Sequence, residues 1–562
     1  MMDTKRLVLL FIFGFSLLML WDAWEKENRP RPVPQPSQAA SPAAVPTPGG
    51  KPAAASATAA VPAAQRASDG SVPGAAVTAA KGKTIEVRTD VIVAEIDTLG
   101  ATLTRVELLK YKETKDSGKN LVLLGSEHHY EAQSGLTGEG GPSHRSVWIA
   151  QPGSTTLASG QDTLEVRLTA QGRDGLSATK VYRFRRDSYL IDVALEIRNT
   201  GAAPLAPYAY FQLTHDGKSA AASNAVADTF GAQSFNGYAI YTEEKKFQKI
   251  SLADVDKGKA DYVKQSSDGW LAYVQHYFVS AWVPGPKTGR EYAVEKRADG
   301  IYAGRALIST GPIAPGADAT LDAQLYVGPQ EQNRLAAVAP GFDLVVDYGW
   351  LTIIAWPLFW LLEKYHGLSG NWGVAIILLT MTIKLVFFPL SAASYRSMAK
   401  MKLVTPRMTK IRQMYEHDRA KMNQAMMELY KTEKINPLGG CFPILVQIPV
   451  FIALYWVLLA AIELRHAPFM LWIQDLSAQD PYYVLPILMT ITMIIQTRLN
   501  PVPPDPVQAK VMQFMPFIFS VFFFFFPAGL VLYWLVNNIL SILQQWQIQR
   551  MFDRDKPAHA RR

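Results

Sequence analysis

One basic residue inside an apolar run is the side chain in this sequence that is best placed for chemistry. Lys384 is the only charged residue between Asn371 and Leu390, NWGVAIILLTMTIKLVFFPL. A run of about 20 apolar residues can cross a bilayer, and a charge inside it costs roughly 2.5–3.5 kcal/mol. Leu390 lies six residues further on, which places Lys384 about 9 Å inside the end of the helix. We therefore predict that Lys384 faces a hydrated cavity or a polar partner.

Uncharged polar residues in the other apolar segments are candidates for the walls of this cavity. Thr380 lies four residues before Lys384, on the same helix face. The other candidates are Gln447, Gln496, Gln513, Asn537 and Asn538. In the alternative interpretation, Lys384 extends to the membrane surface and the polar residues form ordinary interhelical hydrogen bonds. The five C-terminal apolar segments contain no acidic residue, which disfavours proton or cation transport.

Covalent, metal and nucleotide chemistry have little support in the sequence. A lysine can act as the base of a serine protease, but the nearest serines, Ser391 and Ser394, follow the apolar run. Cys441 is the only cysteine, which excludes an intramolecular disulfide and a cysteine cluster for a metal. His128-His129 is the only adjacent histidine pair, and we interpret it as solvated. No phosphate-binding glycine motif is present, so we expect neither a cofactor nor a metal.

Six apolar segments must position these side chains. The first belongs to residues 1–24, where Lys5 and Arg6 precede the apolar core and Trp24 ends it, as in an uncleaved signal-anchor helix. The other five form a membrane core over 371–549, and their bounds are Asn371–Leu390, Cys441–Ile462, Tyr482–Thr497, Val511–Phe526 and Leu530–Gln549. Pro527-Ala528-Gly529 makes the last two an antiparallel pair.

The charges of the loops orient these segments, because cytoplasmic loops are rich in Lys and Arg. Ten basic and four acidic residues lie between Arg396 and Lys434, so this loop is predicted to be cytoplasmic. The loop at 463–481 has one Arg and three acidic residues and is predicted to be external. The tail at 550–562 has five basic and two acidic residues. These charges predict six spans, with both termini in the cytoplasm.

Three segments are predicted outside the membrane on the outer side. Residues 25–83 contain no Leu, Ile, Met or aromatic residue, which predicts a disordered tether. Residues 84–340 show many short alternating runs, such as Tyr189 to Arg198, and predict a large antiparallel β-sandwich. We find no catalytic constellation in it. Residues 341–370 are aromatic-rich and predict an amphipathic helix in the membrane interface, with a short extra span as the alternative.

The cytoplasmic loop at 391–435 predicts a helical hairpin. Seven methionines fall between Met398 and Lys434. Such a surface adapts to varied apolar partners, but an equally good interpretation is that the methionines form the seam between the two helices. Its basic face is suited to anionic lipid or to the phosphates of ribosomal RNA, and the sequence does not decide between them.

Several long motifs resemble the YidC-type membrane protein insertases of Gram-negative bacteria. They are NPLGGCFP at 436–443, LWIQDLSAQDPYYVLPILM at 471–489, FPAGLVLYWLVNN at 526–538, EAQSGLTG at 131–138 and DYGWL at 347–351. The resemblance covers nearly the whole chain apart from the tether. It implies an α-helical polytopic protein with six spans, a five-helix insertase core, a periplasmic β-sandwich and a cytoplasmic hairpin.

The resemblance also implies roles for individual residues. In that family a hydrophilic groove open to the cytoplasm and to lipid contains a basic residue, which by position is Lys384, and Thr380 matches a polar residue of the groove. The family more often has Arg there, and Lys keeps the charge without the bidentate geometry. Gln447, Asn537 and Asn538 are the other groove residues that we predict. The third and fifth spans form an apolar slide, for which the residues expected are Phe451, Met489, Phe522 and Trp534.

The function expected from the resemblance is insertion and folding of nascent inner-membrane proteins, alone or with the Sec translocon. We expect a protein of the bacterial inner membrane that is not an enzyme and binds no DNA, with ribosome and lipid as further partners. The alternative is an assembly scaffold for membrane complexes that inserts nothing itself.

Overall fold

The computed structural model describes residues 82–113, 118–138, 140–218, 235–286, 288–415, 417–433, 442–500 and 506–554. The predicted signal-anchor, the tether up to residue 81 and the tail beyond residue 554 lie outside this range. The chain divides into two compact units. Of the described residues, one unit contains those within Ser397–Pro437 and Asn500–Met515, and the other contains those within Asp69–Arg396, Leu438–Leu499 and Pro516–Arg562.

Eighteen strands occupy the described part of the segment for which we predict a β-sandwich. They are β1 Thr84–Arg88, β2 Ile92–Asp97, β3 Thr102–Lys112, β4 Asn120–Leu124, β5 Glu131–Thr137, β6 Ile149–Ala150, β7 Thr163–Gln171, β8 Leu176–Arg185, β9 Leu190–Asn199, β10 Tyr208–His215, β11 Gly237–Thr242, β12 Lys246–Ser251, β13 Gln265–Ser266, β14 Trp270–Val274, β15 Phe278–Pro284, β16 Arg290–Lys296, β17 Tyr302–Ser309 and β18 Asp318–Pro329.

The strands form two antiparallel nine-stranded sheets. One sheet has the order β1-β2-β3-β5-β10-β17-β16-β13, with β4 beside β3, and the other has the order β12-β11-β14-β15-β18-β9-β8-β7-β6. Side chains of the second sheet hydrogen-bond to the backbone of the first: Trp282 Nε1 donates to Gln212 O at 3.1 Å, and the Tyr238 hydroxyl to Leu213 O at 3.0 Å. The antiparallel β-sandwich is therefore confirmed.

The alternation in β9 shows why this segment forms a sheet. Ile191, Val193, Leu195 and Ile197 are buried, whereas the residues between them are half-buried and Arg198 is exposed. Successive side chains of a strand point to opposite faces, so the apolar set lies in the core between the sheets. The period of two in the sequence predicts this burial correctly.

A lysine lies inside this sandwich. Lys180 on β8 is fully buried, and its Nζ donates to the backbone oxygens of Gly100 at 2.9 Å, Ala101 at 3.1 Å and Ser134 at 3.0 Å. Its Nζ lies 4.8 Å from the ring centre of Trp148. Burial lowers the pKa of Lys180 to about 7, because the low-dielectric interior disfavours the charged ammonium.

Ten α-helices are described. They are α1 Leu252–Asp256, α2 Gln332–Val338, α3 Thr352–Ser369, α4 Trp372–Val386, α5 Phe388–Met414, α6 Arg419–Thr432, α7 Phe442–Ala460, α8 Val484–Leu499, α9 Pro506–Phe523 and α10 Ala528–Arg554. Within the larger unit, α10 packs against α4, α7 and α8, and α3 packs against α4 and α7. The helical C-terminal region is therefore confirmed.

The segment predicted as one helix from Asn371 to Leu390 is broken. Helix α4 ends at Val386, helix α5 begins at Phe388, and the two meet at 66°. Pro389 accounts for the break, because proline cannot continue a helix from the preceding turn but suits the first turn of a new one. Lys384 consequently lies in the last turn of α4. The prediction of one unbroken helix, from which we derive a depth of about 9 Å, is wrong.

The described helices differ in whether their length and hydropathy meet the criteria for a membrane span. In the described residues, no helix taken singly is both long and apolar enough. The bent pair formed by α4 and α5 meets the length and composition criteria when its two helices are taken together.

Helix α3 corresponds to the predicted interfacial helix. Ala355, Phe359 and Leu362 are buried on one side. The opposite side carries exposed apolar residues, with Ile353 84% and Trp356 58% accessible. The helix thus has two apolar sides, of which the described part of the chain covers one.

The smaller unit contains α5 from Ser397 onward and all of α6, the two helices predicted as a hairpin. Val404 and Met408 on α5 form one buried cluster with Met422 and Met426 on α6. Arg407 and Glu433 form an ion pair at 2.6 Å between the same segments. Helix α5 continues through Pro406. These contacts agree with the interpretation of the methionines as a seam.

Candidate functional site

A hydrogen bond between helices α4 and α10 fixes the position of the lysine. Lys384 Nζ donates to Ser541 Oγ at 2.7 Å. Ser541 is 4% exposed, and its hydroxyl donates to Asn537 O, one turn earlier, at 2.7 Å. A serine hydroxyl offers one donor and two acceptor positions, so Asn537 O uses its proton and Lys384 uses one of its acceptor positions.

No acidic side chain in the described part of the chain neutralises the lysine. Among the described residues Lys384 makes no ion pair, and its hydrogen bond goes to a neutral hydroxyl. An ammonium group has three donors, so Lys384 can bind a further acceptor without leaving Ser541. The residues around it therefore hold a positive charge in place and leave it able to attract an anionic group.

One predicted groove residue and one predicted slide residue lie in direct contact. Asn538 Nδ2 on α10 donates to Met489 Sδ on α8 at 3.4 Å. Asn538 is assigned above to the groove and Met489 to the slide. Both side chains are buried, so the polar and the apolar parts of the predicted site adjoin each other between α8 and α10.

The remaining groove candidates differ in their environments. Thr380 is 1% exposed and its hydroxyl donates to Ile376 O at 2.7 Å, which uses its proton within its own helix. Asn537 is half-buried and supplies the carbonyl that accepts from Ser541. Gln447 on α7 is half-buried, and in the described residues no hydrogen bond joins it to Lys384 or Ser541.

Aromatic residues form a cluster where α7, α9 and α10 meet. The rings of Phe451 and Trp534 stack with their centres 4.9 Å apart and their planes 2° from parallel. Phe523 contacts Trp534 edge-on at 4.4 Å. Phe522, the predicted slide residue, is half-buried and contacts Phe519 at 6.5 Å, one turn earlier on the same helix. Phe451 and Trp534 are thus brought together, and Phe523, the neighbour of Phe522, joins them in this cluster.

A polar stripe that is not among the predicted site residues runs along α10. After Asn538 it continues with Ser541, Gln544 and Gln545, all buried. Gln545 and Gln549 each have an Nε2 that donates to Leu499 O, at 3.3 and 3.5 Å, at the end of α8. The spacing of 538, 541 and 545 is that of one helix face and is the signal that identifies the stripe.

A loop at 467–483 covers one end of these helices. The buried Asp480 accepts hydrogen bonds from Trp472 Nε1 at 2.9 Å, from the Tyr482 amide at 3.0 Å and from the Leu485 amide at 2.7 Å. The Leu485 amide belongs to the first turn of α8, whose amides lack partners within the helix. The backbone of Ala478 accepts from the Ala528 amide at 2.7 Å, which attaches the loop to the start of α10.

Comparisons with protein families cover the chain in two parts. The family described as the YidC periplasmic domain matches residues 84–361, which contain the β-sandwich. The family described as the 60Kd inner membrane protein matches residues 364–556, which contain α4 to α10. Lys384, Ser541 and the aromatic cluster all fall in the second match.

Relatives that are named membrane protein insertase YidC match the full length. The protein from Aromatoleum aromaticum is 53% identical over 567 residues, covering 99% of each chain. That from Methylobacillus flagellatus is 53% identical over 584 residues, covering 100% of each chain. A solved structure described as an active YidC insertase, with its first transmembrane domain resolved, has 17% identity, a TM-score of 0.38 and a coverage of 82% of this chain and 92% of its own. On the family matches and these full-length identities, the chain belongs to the YidC family of membrane protein insertases.

Proposed function

We propose that this protein inserts nascent membrane proteins into the bacterial inner membrane through a hydrophilic groove that carries one positive charge. The observation on which the proposal rests is the Lys384 ammonium, which is bound by the neutral Ser541 and makes no ion pair in the described residues. A lysine held in this way can attract the acidic or polar end of a substrate. The family relationship supports the same function.

The first step is electrostatic. Two opposite charges 4 Å apart attract by about 4 kcal/mol at an effective dielectric constant of 20, against about 1 kcal/mol in water. Lys384 draws the short hydrophilic tail of the substrate between α4 and α10. Asn537, Asn538 and the other groove residues then hydrate or bind the tail, which shortens its path through hydrocarbon.

The second step is hydrophobic. The aromatic cluster of Phe451 and Trp534 joins α7 to α10. On α9, Ile518 and Val521 are 56% and 58% exposed. The apolar segment of the substrate moves along this slide, which includes Met489 and Phe522, into lipid. Burial of apolar area at about 25 cal/mol per Å² drives the step, so no nucleotide is required.

The proposed topology has six spans, with both termini and the hairpin in the cytoplasm and the β-sandwich in the periplasm. The loop charges support this orientation by the positive-inside rule. The exposed apolar side of α3, with Ile353 and Trp356, suits a helix lying in the outer membrane interface. The basic hairpin is a candidate contact for the ribosome or anionic lipid, and the Sec translocon is a candidate partner.

Lys384 Nζ and Ser541 Oγ are 2.7 Å apart, and a serine hydrolase that uses lysine as its base also needs such a hydrogen-bonded pair. A lysine acting as general base must accept the proton of the serine hydroxyl. Here that proton is donated to Asn537 O, and Lys384 donates to the same hydroxyl. The hydrogen bonds run in the direction opposite to catalysis and favour a binding role for Lys384.

The test uses liposomes that contain only the purified full-length protein and a single-span substrate with an acidic outer tail. We expect insertion by the wild type and by Lys384→Arg, which keeps the charge, and a loss of roughly tenfold, or about 1.4 kcal/mol, in Lys384→Ala. The control is Lys410→Ala, which removes an exposed hairpin charge. No insertion by the wild type would contradict the proposal and favour an assembly scaffold.

A further inference from the structure

One buried side chain of the polar stripe has both of its polar atoms unpartnered. Gln544 on α10 is 8% exposed, and within the described ranges neither Nε2 nor Oε1 has a hydrogen-bond partner. Polar groups buried in folded proteins are nearly always paired. A carboxamide that is buried without a partner is therefore a candidate for binding a group that the folded chain does not itself supply.

The position of Gln544 connects it to the charged part of the groove. It lies three residues after Ser541, and residues at this spacing are neighbours on a helix surface. Ser541 accepts from Lys384 and donates to Asn537 O. Gln549, five residues further along the same helix, donates to Leu499 O at 3.5 Å. Gln544 thus lies between residues with assigned partners, whereas in the described ranges its own buried amide has none.

We propose that Gln544 binds the peptide backbone of the hydrophilic tail of the substrate. A carboxamide presents one acceptor and one donor group side by side, and these match the N–H and C=O of an extended peptide. Peptide groups that enter a membrane without partners are costly, and Gln544 relieves that cost whatever the sequence of the tail. The assignment rests on the proposed insertase function. Lys384 distinguishes substrate tails by their charge, whereas Gln544 binds the backbone of a tail regardless of its charge.

The experiment compares Gln544→Leu with Gln547→Leu in liposomes that contain the full-length protein. Gln547 is exposed on the same helix and controls for the change from amide to apolar side chain. Each variant inserts a single-span substrate with either an acidic or an uncharged polar tail. We expect Gln544→Leu to slow both substrates by about three- to tenfold, the effect of one hydrogen bond. Lys384→Ala slows mainly the acidic one.

Two further readouts separate binding from folding. Gln544→Leu should unfold at the same or a higher temperature than the wild type, because it removes unpaired buried polar atoms. A photoreactive residue at position 544 should cross-link to the tail of a trapped substrate more strongly than one at position 547.

Wild-type insertion rates in Gln544→Leu would overturn the assignment while leaving the insertase function intact. Loss of thermal stability together with insertion would also overturn it, because the amide would then be paired within the fold. Failure of the wild type to insert either substrate would refute the insertase function and this assignment with it.

Discussion

Among single residues, Lys384 is identifiable from the sequence because a charge in an apolar segment is costly and rarely kept without a use. Its partner Ser541 is not identifiable in this way. Serine is common both on helix surfaces and between helices, and the two residues are 157 positions apart. Only the packing of α4 against α10 brings them together, and single-residue chemistry carries no information about that packing.

The buried Lys180 gives a prediction for the pH dependence of stability. Its pKa is lowered to about 7 in the folded protein, against about 10.4 in an unfolded chain. Between these values the unfolded state binds one more proton, so the free energy of unfolding should rise with pH by up to about 1.4 kcal/mol per pH unit. Below pH 7 this contribution is constant. Denaturant unfolding of the full-length protein in detergent, followed by tryptophan fluorescence, measures the slope.

The control for this prediction is Lys180→Met, which keeps the apolar stem and removes the titrating group. In this variant the extra slope between about pH 7 and 10 should disappear. An equal slope in both proteins would show that other groups cause it and that Lys180 keeps its ordinary pKa when buried.

At the scale of elements, the sequence predicts which segments are helical better than where they end. The break at Phe387 is an example. The apolar run continues to Leu390, so hydropathy alone does not indicate that the helix axis bends by 66° there. Pro389 is the local signal for it. Helices α7 and α9 contain Pro449 and Pro516 without ending, so a proline alone does not determine where a helix stops.

The hairpin methionines give a second prediction, because the sequence leaves open whether they form a seam or receive substrates. Met408 is 3% exposed in the cluster between α5 and α6. Met408→Ala should destabilise the hairpin by about 2–5 kcal/mol, as core truncations do. Hydrogen exchange of the hairpin amides in the full-length protein reports the free energy of local opening.

Met427→Ala is the matched control, since Met427 is 55% exposed on α6. In this variant the free energy of local opening should stay within about 0.5 kcal/mol of the wild-type value, as for most surface substitutions. If Met408→Ala left exchange unchanged but slowed insertion, the seam interpretation would be wrong and Met408 would contact the substrate.

At the scale of the whole molecule, the class of each region is predicted from periodicity, but the order of the strands is not. The alternation of β9 indicates a strand buried on one face. Alternation within a strand does not predict that β5 pairs with β10, because these strands are separated by about 70 residues of sequence. Such pairings depend on long-range complementarity of whole faces, whereas the pattern within a strand reports only its own two sides.

The sign of the charge in the groove should set which substrates the whole protein inserts. The measurement uses liposomes without a membrane potential and two substrates that differ only in an acidic or a basic outer tail. Wild type should insert the acidic-tailed substrate faster, and Lys384→Glu should reverse the preference, with a change of about tenfold or more for a partly hydrated charge pair. Lys410→Glu, the same change on the exposed hairpin, should keep the wild-type preference. An unchanged preference in Lys384→Glu would contradict an electrostatic groove at this residue.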